Sequence, residues 1–232
     1  MRITQAKPEK LLGLALFNSF PPEALTELVS TCTLKVYEEG EILFFEGDPA
    51  EGVLLVLTGR TVLFRGSELG RELVLSRLGR GEVINLVPAL LAEQPRWQAC
   101  ARASGHLEVL NIPLPALRGL MNANNTFTQS LLRMLADRLD RAMDLASSMS
   151  LKSTRARLAA FLICQADGLG TQPNPTQNDI AAEIGTVREV VARLLKDFEM
   201  AGWLKRDRQR IRLRDRAALE RVARDQDQTS PM

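Results

Sequence analysis

The sequence predicts an α+β chain in three parts: a glycine-punctuated β-roll of the jelly-roll (double-stranded β-helix) type, one long helix, and a small helical unit closed by a β-hairpin. Three observations predict this order. Between about Thr33 and Pro113, short apolar runs such as EILFFEG, GVLLVLTG and ELVLSRLG are broken by glycines, the mark of many short strands. From about Asn125 to Ser150, apolar residues step by three and four with no Pro or Gly between them. After Thr176, two short amphipathic segments meet at Gly185, and two short alternating runs follow Gly202. The expected boundaries are residues 1–123 for the roll with its N-terminal helices, 124–151 for the long helix, 152–224 for the last unit, and 225–232 for a polar, disordered tail.

In order along the chain, residues 8–30 read as two short helices, with Pro21 and Pro22 opening the second. In the strand region Gly40, Gly47, Gly52, Gly59, Gly66, Gly70, Gly79 and Gly81 fall at the breaks, where they are expected to supply positive φ at turns. None belongs to a phosphate-loop pattern, so no nucleoside triphosphate site is expected. On the long helix Leu132, Leu135, Leu139, Ala142, Ala146 and Met149 form a narrow seam of the coiled-coil kind. Phe127, Leu131 and Met134 form a second stripe on an adjacent face. One stripe can cover the roll and the other a second subunit, which predicts a homodimer.

The last unit carries the chemistry. Thr176 can cap a first helix, with Asp179 at the capping-box position. Ile180, Ala181 and Ile184 supply its buried face, and Gly185 breaks it. A second helix from about Val187 to Ala201 buries Val190, Val191, Leu194, Leu195 and Phe198 and leaves Arg188, Glu189, Arg193 and Lys196 outside. WLKRD and RIRLRD then read as a hairpin wing lined by Arg206, Arg208, Arg210 and Arg212. This is a winged helix-turn-helix, whose second helix meets base edges with its first turn.

The charge distribution agrees. The overall formal charge is +2, but residues 1–150 carry 15 basic and 17 acidic side chains, whereas residues 151–224 carry 15 basic and 9 acidic. A basic last third points to a polyanion, here double-stranded DNA. Candidate phosphate contacts are Thr176, Asn178, Thr186, Lys196, Arg206, Arg208 and Arg210; candidate base readers are Arg188, Glu189 and Arg193. No stretch approaches the roughly 20 apolar residues of a membrane span, and MRITQAKPEK lacks the apolar core of a signal peptide, so a cytoplasmic protein is expected. Cys32, Cys100 and Cys164 are widely spaced and predict neither a disulfide framework nor a metal site.

The segment GTVREVVARLLKDFEMAGWL resembles the recognition-helix pattern of the cyclic AMP receptor protein and fumarate–nitrate reduction regulator (CRP/FNR) family. YEEGEILFFEGDPAEGVLLVLTGRTVLF is similar to the family's opening strands. The resemblance covers about residues 10–220. It implies a cyclic-nucleotide-binding-like roll, a dimer helix, a transcription regulator contacting RNA polymerase, base reading by Arg188, Glu189 and Arg193, and a half-site like TGTGA repeated as an inverted pair. Val187 and Val190 replace the Ser and Thr of many members, which would remove phosphate contacts.

In the sensor half the same resemblance places the family's nucleotide cassette on GEVINL and PRWQACARA. Its Gly-Glu falls on Asn85-Leu86, its phosphate-binding arginine on Arg96, its hydroxyl residue on Trp97, and the nucleotide-facing Thr-Ser pair of the long helix near Ala142-Met143. The implied effector pocket is therefore Leu86, Arg96, Trp97, Ala142 and Met143. Each polar contact left unmade in a buried site costs ~1–3 kcal/mol, so cyclic AMP is not the expected ligand and the effector has no name. The pocket is either filled by its own side chains or accepts an amphiphilic anion at Arg96, and Arg96 could equally serve a structural ion pair. His106, the one histidine, reads as solvent-facing or capping at a turn before a strand. No catalytic constellation, metal or cofactor is expected. An effector-binding module acting mainly through protein partners is the alternative to a DNA-binding regulator.

Overall fold

The computed structural model describes residues 1–67, 72–168, 174–207 and 210–224, with the backbone alone at Arg210. Gly70, Arg208, the side chain of Arg210 and the 225–232 tail lie outside the described residues. The first strands are β1 (Arg2–Thr4), β2 (Thr33–Tyr37), β3 (Ile42–Phe44), β4 (Gly52–Gly66), β5 (Glu72–Leu78), β6 (Val83–Ile84) and β7 (Cys100–Pro113). They form one sheet in the order β1-β2-β7-β4-β5, with β3 on β7 and β6 on β4. β4 and β7 pair antiparallel from Gly52↔Pro113 to Phe64↔Cys100, with irregularities around Thr58.

β4 explains why GVLLVLTG shows no alternation. Val53, Leu55 and Leu57 face one core, shared with Leu34 of β2 and Leu110 of β7. Leu54 and Val56 face a second core inside the roll, with Tyr37, Phe44, Ile84 and Val109. A strand buried on both faces reads as a continuous apolar run. The first core is roofed by helices: α1 (Pro22–Thr31), the short α2 (Leu86–Leu91), α3 (Leu114–Ala123) and the start of α4 (Asn125–Leu151). Pro22 opens α1 at its first turn, and residues 8–17 form two 3-10 turns, Pro8–Lys10 and Ala15–Phe17, in place of a first helix. Phe127 and Leu131 of α4 are buried in the first core, and Met134 packs on it.

The glycines of the roll have different causes. Gly40, Gly47, Gly59 and Gly81 have positive φ, as expected. Gly52 does not; there a Cβ would fall 2.1 Å from the Ile112 carbonyl oxygen, so close approach of β7 excludes a side chain. Gly66 and Gly79 are neither. His106 sits within β7, not at a turn before it, exposed and with Nδ1 3.3 Å from the Glu38 carboxylate. Cys32 is buried, and burial pushes its thiol up to about 11, too high for thiolate chemistry at neutral pH.

The chain divides into two units inside α4, between Arg141 and Ala142; the second holds the described residues of 66–74 and of 142–232. Its own core joins α5 (Thr154–Ala166), α6 (Gln177–Ile184), α7 (Arg188–Met200), the hairpin β8 (Leu204–Asp207) and β9 (Arg210–Leu213), and α8 (Arg216–Ala223). Arg216 holds the end of α5, pairing with Asp167 at 2.5 Å and keeping that carboxyl below its usual range.

Candidate functional site

The last unit presents one helix face built for contact. Thr176 and Asp179 form the reciprocal capping box of α6: the Asp179 N–H donates to Thr176 Oγ1 at 3.2 Å and the Thr176 N–H to Asp179 Oδ2 at 2.8 Å. α6 ends at Gly185, in the left-handed region at φ 66°, and the Thr186 N–H returns to the Ala181 carbonyl at 2.9 Å. This tight turn aims α7. Val191, Leu194, Leu195 and Phe198 are buried, while Arg188, Glu189, Arg193 and Lys196 are exposed. Phe198 is fully buried, 5.3 Å from the Trp203 ring, with the Arg155 guanidinium 5.1 and 5.2 Å from the two ring centres. Val187 is the cap residue of α7 and makes no side-chain cap bond, leaving that helix end without the oxygen acceptor a serine would supply.

The candidate phosphate residues separate. Asn178 and Lys196 are exposed, and Thr186 is half-buried. The Thr176 hydroxyl is engaged with Asp179, to which it also donates at 2.7 Å. Arg206 is engaged with Glu199 of α7, through its backbone N–H at 3.0 Å, Nε at 2.8 Å and Nη2 at 2.7 Å, and this holds the Glu199 carboxyl below its usual range. The wing is thus fastened to α7. Arg157, not singled out by sequence, fastens the end of α6 to α5: its Nε donates to the Ile184 carbonyl at 2.9 Å and Nη1 to the Lys152 carbonyl at 2.7 Å. Part of the positive charge that marked this unit is therefore structural, and the exposed remainder includes Arg188, Arg193, Lys196, Lys205 and Arg212.

Thr176→Ala tests that division. Loss of the cap should cost about 1 kcal/mol of stability in chemical denaturation. The salt dependence of duplex binding should not change, because no phosphate contact is lost; a shallower salt slope would return Thr176 to the phosphate set.

The roll contains a cavity of about 130 Å³ whose lining includes Phe44, Ile84, Asn85, Leu86, Trp97 and Arg138. Asn85 has φ 67°, and among the described residues no other non-glycine residue has positive φ. Asparagine is among the few side chains that tolerate this conformation. Leu86 is fully buried. Trp97 lies parallel to Phe44, with ring centres 3.6 Å apart.

The remaining members of the implied pocket are Arg96, Ala142 and Met143. Arg96 is exposed, donates from Nη1 to the Gly47 carbonyl at 2.7 Å and does not line the cavity, because its backbone bridges to Pro49 and carries the side chain to the surface loop. Ala142 and Met143 are exposed on α4 and belong to the second unit, whereas the cavity is formed within the first. The cation on the wall is Arg138, missed by sequence. Its signal was a basic residue continuing the stripe Phe127, Leu131, Met134 at helical spacing.

Along α4, Leu132 is 58% exposed, Leu139 63% and Met143 61%, and Ala142 and Ala146 are exposed. Leu135 instead packs on the first core, and Met149 comes against Gly185, where its Cε would meet an added Cβ at 2.4 Å. Among the described residues no helix is long and apolar enough to cross a membrane, and no three His, Cys, Asp or Glu side chains group as metal ligands.

Comparison with known proteins gives two family matches: the cyclic nucleotide-binding domain over residues 34–124 and the Crp-like helix-turn-helix domain over residues 156–222. The chain is 30% identical over 212 residues to the cyclic AMP receptor protein of Thermus thermophilus, covering 91% of this chain and 97% of that protein. It is 25% identical over 224 residues to the CRP-like cAMP-activated global transcriptional regulator of Mycobacterium tuberculosis, covering 93% and 99%. A crystal structure of a crp/fnr family protein from Eubacterium rectale superposes with a TM-score of 0.74 at 25% identity, covering 90% and 97% of the two chains.

Proposed function

The chain belongs to the CRP/FNR family of transcription regulators, and from that premise we propose that it binds an inverted-repeat DNA site as a homodimer without responding to cyclic AMP. The observation that carries DNA reading is the exposed face of α7, with Arg188, Glu189 and Arg193 outward and Val191, Leu194, Leu195 and Phe198 buried opposite, Val190 only partly. Arginine pairs bidentately with guanine and glutamate accepts from the cytosine amino group, so these three side chains suit G·C pairs. The two half-sites, like TGTGA, would lie one helical turn apart. Lys196, Lys205 and Arg212, exposed on α7 and the wing, would add phosphate contacts, and Arg208 and Arg210 belong to the same proposal. RNA polymerase is the expected protein partner and the cytoplasm the expected location.

Homodimerisation is supported by the exposed Leu132, Leu139 and Met143, spaced seven and four apart on one helix. The reading against cyclic AMP rests on the cavity. Leu86 offers a ribose hydroxyl nothing to bond, Arg96 is occupied with Gly47, and the Phe44–Trp97 stack takes part of the space. The two relatives above are named for cyclic AMP, and that property does not carry over without these groups.

Selection of duplexes from a random pool by the purified protein tests the reading directly. An inverted repeat should emerge with no nucleotide added, and millimolar cyclic AMP should change neither sequence nor affinity. Arg188→Ala should weaken the selected site by ~1–3 kcal/mol and relax preference at one position per half-site. Unchanged preference would show that α7 does not read through its first turn.

A further inference from the structure

We propose that the roll cavity binds a compact organic monocarboxylate with an apolar, ring-sized body, and that Arg138 of α4 is its counter-ion. The inference deepens the regulator reading by naming an effector class, and it rests on that reading only for its regulatory consequence.

The cavity is mostly apolar: Phe44, Leu63, Ile84, Leu86 and Trp97 are on its wall. No carboxylate lines it among the described residues. At about 130 Å³ it matches a ring rather than a nucleotide, since an apolar cavity of ~150 Å³ accommodates benzene. Against this wall stands a guanidinium. Arg138 Nε is buried with no hydrogen-bond partner, and Nη2 meets the Met134 sulfur at 3.6 Å, a poor acceptor.

The groups around Arg138 do not supply its missing partner. Glu82 is near enough to favour its charge, but that carboxylate accepts from the Gly79 N–H at 2.8 Å and lies 3.6 Å from Arg141. Asn85, the polar side chain beside Leu86, donates to the Gly52 carbonyl at 3.3 Å. Burial depresses the Arg138 pKa, yet a guanidinium stays protonated near neutrality. A half-buried cation with an unpaired N–H costs stability. A carboxylate supplies a fork of two acceptors, the geometry a guanidinium prefers. An inorganic anion would satisfy the charge and leave the apolar wall wet, which is why the body of the ligand matters. Exposed Val87 and Gln98 also line the cavity and give a route from solvent. Because Arg138 lies on α4, the ligand charge would act on the helix that carries the exposed apolar stripe.

The test is calorimetry on the full chain with benzoate, its neutral isostere benzamide, inorganic phosphate and cyclic AMP. Benzoate should bind once per chain with Kd below ~1 mM, and benzamide at least about tenfold more weakly. Arg138→Met should abolish the preference for benzoate and raise the melting temperature of the ligand-free protein. Arg138→Lys should keep part of the preference, so the inference stays testable if the methionine variant does not fold. Equal binding of benzoate and benzamide, benzoate binding unaffected by Arg138→Met, or no saturation by benzoate up to ~10 mM would overturn the proposal. So would phosphate or cyclic AMP binding more tightly than benzoate. Duplex binding by the same preparation separates the two readings: protein that selects its inverted repeat but ignores benzoate loses this proposal alone.

Discussion

Leu139→Glu should convert the protein from dimer to monomer in sedimentation velocity at micromolar concentration, with the helical circular dichroism unchanged. Leu139 is 63% exposed in the single chain, so a glutamate there costs the folded protomer little. In a dimer formed through Leu132, Leu139 and Met143 the same carboxylate would be buried twice across the two-fold axis. An uncompensated buried charge costs ~3–5 kcal/mol, enough to move a micromolar association out of reach. The loss of the dimer carries over to DNA. Two linked recognition helices gain ~10²–10⁴ in avidity over one, so affinity for the inverted repeat should fall by about 100-fold or more. Leu135→Glu is the informative contrast. Leu135 packs on the first core, so its substitution should lower the melting temperature as well as disturb assembly. A Leu139→Glu protein that stays dimeric would move the interface off this stripe.

The parts of the molecule that were legible in sequence are those specified by neighbours along the chain. Thr176, Asp179, Gly185 and the apolar positions of α7 lie within one short stretch, and each has a local physical requirement: a cap, a left-handed turn, a buried face. The roll was legible as a class because glycine and apolar runs alternate, but not in detail. Gly52 and Gly59 look alike in sequence; one is excluded from carrying a side chain by Ile112 and the other has φ 80° besides. The effector site was least legible, because it is made by residues distant in sequence. The cassette resemblance brought Arg96 beside Trp97 in sequence, and adjacent residues of an extended segment point to opposite sides. Trp97 turned inward to Phe44, and Arg96 outward to Gly47. The wall cation came instead from α4, where an arginine in an otherwise apolar stripe is easily read as an edge residue. The wing arginines were legible as charge and not as partners: nothing local tells that Arg206 reaches back to Glu199.

Phe198→Ala should leave the dimer intact and remove DNA binding, the opposite combination to Leu139→Glu. The ring is fully buried in the core of α5–α8 and holds α7 against Trp203, under the Arg155 guanidinium. Truncating a buried phenylalanine costs ~3–5 kcal/mol, against a total of ~5–15 kcal/mol for an ordinary domain. A unit of this size has little to spare, so α7 should lose its fixed orientation and the three base readers their register. The core of the roll shares no residue with this one, and the exposed stripe of α4 is untouched. Sedimentation should therefore still report a dimer, benzoate should still bind at Arg138, and the selected duplex should no longer be retained. Arg155→Met is the milder companion. It removes a cation over two rings worth ~0.5–2 kcal/mol and should weaken DNA binding only as far as it destabilises the unit. If Phe198→Ala bound its site normally, α7 would not be the element that needs to be held, and the assignment of Arg188, Glu189 and Arg193 as base readers would fall with it.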